Sequence, residues 1–137
     1  MVDTLIEKYN LGSESTDGRE DFELDDRPVD YVAYRIDPQA RPANALLDFW
    51  KSDGDQRSFA YSHLYDVEFK RSEGIILTFS EHQVTVRGRR LEKIYQGLKR
   101  HRVVFVWEAS TQEEFTAEEE ATIVSEIDIR LRPQPQA

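Results

Sequence analysis

Between residues 74 and 108 the spacing of apolar side chains changes twice, and each change limits what can fold there. Ile75, Leu77 and Phe79 alternate, as in a half-buried strand, where successive side chains point to opposite faces. Ser80, Glu81 and His82 interrupt the run. Val84 and Val86 resume it with Thr85 and Arg87 between, which predicts a hairpin of strands 74–80 and 83–88 closed by a short polar loop. After Gly88 the period lengthens. Leu91, Ile94, Tyr95 and Leu98 fall at i, i+3, i+4 and i+7, one stripe of a helix over 89–100. Residues 103–107, VVFVW, then lack alternation, as a strand covered on both faces does. The expected order is strand, strand, helix, strand.

That helix carries the chain's concentrated positive charge. Residues 87–102 hold seven Lys or Arg against Glu92 alone, although the formal net charge of the whole chain is −9. On a helical wheel Arg89, Lys93, Gln96 and Arg100 lie opposite the apolar stripe, so the outward face reads as a basic ridge. Cations at the C-terminal end suit the helix dipole and need no further explanation. Arg89 and Arg90 stand at the N-terminal end, where the dipole offers cations nothing, and this points to anion binding. Arg87, Arg89, Arg90, Lys93 and Arg100 are therefore the candidate anion- or partner-binding residues.

The flanking chain is acidic. Residues 1–28 carry nine acids against three bases and few apolar residues, which predicts a flexible arm, either solubilising or able to cover the ridge. Residues 29–132 are expected to form one α+β domain, followed by a disordered tail at 133–137. Within the domain, 29–37 alternates as a strand, and Pro42 precedes Ala43, Leu46, Leu47 and Trp50 at helical spacing. A helix over 42–51 is the expectation. Residues 58–70 alternate over a length at which a strand usually bends or bulges, with Phe59, Tyr61, His63, Tyr65, Val67 and Phe69 on one face. Residues 122–131 alternate again and are expected to return beside 103–107.

Fifteen aromatic residues argue against global disorder, and the absence of cysteine excludes disulfides, thiolate metal sites and cysteine nucleophiles. No apolar run approaches the ~20 residues that cross a bilayer, and the first ten residues do not read as a secretory signal, so no membrane partner and a cytoplasmic setting are expected. The pair Asp53 and Asp55 around Gly54 lacks the further oxygen ligands of a calcium loop. His63, His82 and His101 form no metal-ligand spacing. His63 reads as a core residue on the aromatic face, and His101 as part of the basic helix end. No cofactor, metal or catalytic residue is expected. A small hydrolase would need His82, Glu81 and Asp66 to converge.

The expected fold is α+β, a curved, mainly antiparallel sheet of five or six strands, at the limit a half-open small barrel, with helices at about 42–51 and 89–100. The expected function is a non-catalytic interaction module that sets its basic helix face against an acidic protein surface, whether its own arm, another protein or a second copy. Nucleic-acid or nucleotide-phosphate binding through the same residues is the alternative, with Gly88 and the helix N-terminus around the phosphate.

Overall fold

A computed structural model describes residues 28–133. The chain divides into two units, Met1–Asp30 and Tyr31–Ala137, and every element below belongs to the second. The acidic arm expected at 1–28 and the tail at 133–137 fall almost wholly outside the described residues.

The elements in order are β1 (Tyr34–Ile36), β2 (Leu46–Trp50), β3 (Gln56–Ala60), a 3₁₀ turn (Tyr61–His63), β4 (Leu64–Lys70), β5 (Gly74–Phe79), β6 (His82–Arg89), α1 (Glu92–Lys99), β7 (Val103–Trp107), α2 (Thr111–Thr116) and β8 (Ile123–Leu131). They form an α+β unit of two four-stranded sheets, ordered β1-β7-β2-β3 and β4-β5-β6-β8, and neither closes into a barrel. All pairings are antiparallel except β2 with β7. The hairpin expected from the 75–86 alternation is present, with Ile75 opposite Val86 and Leu77 opposite Val84. All four of those side chains are fully buried.

The structure corrects several expectations: the strands form two four-stranded sheets and not one sheet of five or six, and the strand expected at 29–37 is Tyr34–Ile36 alone. Residues 42–51 do not form a helix. Pro42 opens a turn, with the Ala45 amide donating to its carbonyl at 2.9 Å, and 46–50 is strand β2. Leu46, which the helical stripe required inside, is 51% exposed, whereas Leu47 and Phe49 are fully buried. Periodicity cannot separate a short buried strand from a helical turn, and β2 is decided by having β3 on one side and β7 on the other. The single strand expected at 58–70 breaks at the 3₁₀ turn. There the chain leaves the first sheet for the second, a bend of the kind its length anticipates. That turn moves His63 out to solvent, so it is not a core histidine. Finally, β8 pairs with β6, from His82 opposite Leu131 to Arg89 opposite Ile123, and not with β7.

A further helix, α2, forms in the acidic segment after β7. The Ser110 hydroxyl accepts from the Glu113 amide at 3.1 Å, and the Glu113 carboxylate accepts from the Ser110 amide at 2.9 Å. This reciprocal cap satisfies two otherwise orphan donors and starts α2 without an apolar stripe.

Both sheets and α1 contribute to one core. Leu47 and Phe49 of β2, Ile75, Leu77 and Phe79 of β5, Val84 and Val86 of β6, and Ile94 and Leu98 of α1 belong to a single buried cluster. Phe49 meets Phe79 edge-on at 6.4 Å between ring centres, so the two sheets touch directly. Polar pins reinforce the contact. Glu108, 7% exposed, accepts from the Ser52 amide at 2.9 Å and the Ile127 amide at 2.7 Å, with Lys51 Nζ at 3.5 Å. Burial pushes its carboxyl up, but the two amide donors and Lys51 outweigh that and hold it below the ordinary value. The Tyr31 hydroxyl donates to the Trp107 carbonyl at 2.9 Å and accepts from the Val124 amide at 3.1 Å. Burial is the main reason its ionisation is pushed up to about 12.

Candidate functional site

The five candidate cations are set by the passage from β6 into α1. Near its end β6 is bulged, the register with β8 shifting between Arg87 and Gly88. A Cβ on Gly88 would lie 1.9 Å from the Ile123 carbonyl oxygen, so only glycine lets the two backbones approach this closely. Arg90 then takes φ 58°, in the left-handed region, and its carbonyl accepts from the Thr122 hydroxyl at 2.7 Å. This corner delays the helix to Glu92–Lys99. At the other end the His101 amide donates to the Leu98 carbonyl at 3.1 Å and the Arg102 amide to the Gly97 carbonyl at 2.9 Å. With His101 at φ 57° this is a Schellman stop, in which a histidine holds the position glycine usually takes. Its ring stacks on Tyr61, with centres 4.7 Å apart.

The shorter helix divides the expected ridge. Arg87 and Arg89 belong to β6 and Arg90 to the corner, so only Lys93 lies within α1, with Arg100 as its C-cap. Arg87 is half-buried and pairs with Glu126 at 3.1 Å, and Arg89 donates to the Glu118 carbonyl at 3.1 Å. Those two are committed within the fold. Arg90, Lys93 and Arg100 are exposed and enter no ion pair among the described residues. Lys93 and Arg100 are seven residues apart, which returns the helix to nearly the same face about 10 Å further along. Gln96 is exposed between them, whereas Ile94, Gly97 and Leu98 are buried on the opposite side. Beside this face Lys99 Nζ lies 4.8 Å from the centre of the Tyr95 ring, a cation–π contact.

A cleft of about 430 Å³ opens between the β4–β5 turn and the β6–α1 corner. Arg71, Arg87, Gly88 and Arg90 border it, as the phosphate-binding alternative requires, but Glu73 and Glu92 border it too. Two carboxylates on the wall oppose a phosphate dianion, and Arg87 already has Glu126.

Two of the three histidines are brought together in a way their spacing did not foretell. His63 and His82 border one cleft of about 210 Å³, together with Arg57, Phe59, Ser80 and Glu81. Of the trio required for a hydrolase, His82 and Glu81 are there. Asp66 is not among the lining residues and sits on β4 opposite Thr78. The reading missed Arg57, His63 and Ser80 because the 3₁₀ turn, invisible in the alternation of 58–70, is what carries His63 to the β5–β6 turn. Among the described residues no group of three or more His, Asp or Glu side chains is placed to hold a metal ion, and no helix is long and apolar enough to cross a membrane.

Compared with known proteins, the chain matches no family model, no curated protein and no solved structure.

Proposed function

We propose that this protein is a non-catalytic interaction module of the cytoplasm that engages an acidic protein surface through the outward side of α1. The observation that carries the reading is the exposure of Arg90, Lys93 and Arg100 without a carboxylate partner among the described residues. In a chain of net charge −9 carboxylates are abundant, and three exposed cations that no described carboxylate pairs are available to an outside partner. Arg89 adds its charge from the strand end, where a carbonyl bond orients it without neutralising it. Arg87 contributes least, being paired with Glu126. A second copy of the same acidic chain is one surface of suitable charge. Phosphate recognition is disfavoured by Glu73 and Glu92 in the neighbouring cleft.

The test is retention on immobilised poly-glutamate by the wild type and by an Arg90→Glu, Lys93→Glu, Arg100→Glu variant. Binding at about 50 mM salt is expected to weaken several-fold at about 200 mM, because exposed charges are screened beyond roughly 8–10 Å. The variant, with unchanged circular dichroism, is expected to be released. Equal retention of the variant overturns the proposal. A salt-dependent gel shift of duplex DNA that the same substitutions abolish would move the assignment to nucleic acid.

A further inference from the structure

The small cleft between β3 and the β5–β6 turn is built from residues with no part in the surface just described. Its floor is aromatic: Phe59 stacks on Phe79 with ring centres 4.4 Å apart and planes at 19°. Arg57 lies on that floor, its guanidinium carbon 4.9 Å from the centre of Phe59, and its Nη2 is 3.1 Å from His82 Nε2. A guanidinium has only donors, so His82 Nε2 must accept, which places the imidazole proton on Nδ1. Arg57 is thus positioned by a π-face and a neutral ring, and no carboxylate neutralises it among the described residues. One of its five N–H groups faces His82, and the others make no hydrogen bond among the described residues, which leaves them for a ligand. Also bordering it, Ser80 Oγ donates to the Tyr65 hydroxyl at 3.3 Å, so it accepts from His63 Nδ1 at 2.6 Å. A positioned cationic fork, a hydroxyl and an imidazole therefore border one concavity with an apolar floor.

We infer that this cleft binds one small oxyanion, of the carboxylate or phosphate-monoester type. Arg57 supplies the fork, His63 borders the cleft with Ser80 orienting its ring, and His82 holds Arg57 in place. At about 210 Å³ the space suits the headgroup of a ligand, being smaller than the roughly 300–1,000 Å³ of sites that enclose whole small molecules. Glu81 on the same rim opposes a second negative charge, so a carboxylate or a singly charged phosphate monoester is favoured over the phosphate dianion.

The experiment follows the imidazole resonances of His63 and His82 by NMR at fixed pH and ionic strength, while inorganic phosphate or acetate replaces chloride. A saturable shift of both rings with at least one oxyanion is expected, and the anion that saturates assigns the phosphate or the carboxylate type. Arg57→Gln, a change at an exposed position of β3, is expected to weaken binding at least tenfold. Ser80→Ala provides the second variant should Arg57→Gln not fold. The triple charge-reversal variant of α1 is expected to bind as the wild type does, so this inference and the proposed function fail independently. The absence of saturation with both oxyanions, or unchanged affinity in the folded cleft variant, overturns it.

Discussion

Glu108 shows how much one side chain contributes at the junction of the two sheets. Its two oxygens take backbone donors from Ser52, in the turn after β2, and from Ile127, in β8, and Lys51 supplies the countercharge. Glu108→Ala leaves two amides and an ammonium without that acceptor, and a loss of about 3–5 kcal/mol is expected. Glu108→Gln keeps one acceptor oxygen and should cost less. The pH dependence follows from the depressed carboxyl. A group whose folded pKa lies below its unfolded value stabilises fully above the unfolded value, about 4.3, and ceases to do so as pH falls through the folded one. Urea titrations of wild type and Glu108→Gln should therefore differ most near neutral pH and converge only as pH falls through the depressed folded-state value. A constant difference across that range would show that the charge is not what stabilises the junction. At this scale the sequence was least informative. Glu108 reads as one acid at the head of an acidic stretch, and its burial depends on which strands reach it.

At the scale of elements, two glycines separate steric need from conformational need. Gly88 lies in the bulge facing β8, where an added Cβ meets the Ile123 carbonyl oxygen. Gly54 turns between β2 and β3 with φ +101° and nothing within 4 Å of an added Cβ. Gly54→Ala is expected to cost about 1–2 kcal/mol, for left-handed strain alone. Gly88→Ala is expected to cost more than about 3 kcal/mol, because the β6 and β8 backbones must separate. Chemical denaturation of both variants checks the order, and a mild Gly88→Ala would mean the bulge relaxes. The elements themselves were unevenly legible. The hairpin 74–88 and strand β7 could be read from period alone, since turn and partner are adjacent in sequence or the run is apolar throughout. Helix α1 was legible in its buried stripe, but its start was displaced by the corner at Arg90. The β2 segment misled because Ala43, Leu46, Leu47 and Trp50 match a helical stripe by chance. For α2 the Ser110–Glu113 cap was the available signal, three residues apart just after β7, and the missing apolar stripe hid it.

For the whole molecule, one core cluster spans both sheets and α1, and Phe49 with Phe79, Glu108 and Tyr31 bridge the sheets directly. Residues 31–133 are accordingly expected to unfold in one cooperative step. Far-ultraviolet circular dichroism and the fluorescence of Trp50 and Trp107, both in the first sheet, should give coincident transitions in urea. Earlier loss of the tryptophan signal would make the first sheet a separate folding unit. The mixed class, the hairpin, the buried stripe of α1 and the segregation of cations into 87–102 could be read directly from the order of residues, because periodicity and charge order are local properties of the chain. The division of the strands into two sheets, the place of β8 beside β6, the pairing of Arg87 but not of Lys93 or Arg100 among the described residues, and the shared cleft of Arg57, His63 and His82 arise only in the folded chain. These follow from which distant segments fill the same core, and nothing in local spacing encodes that choice.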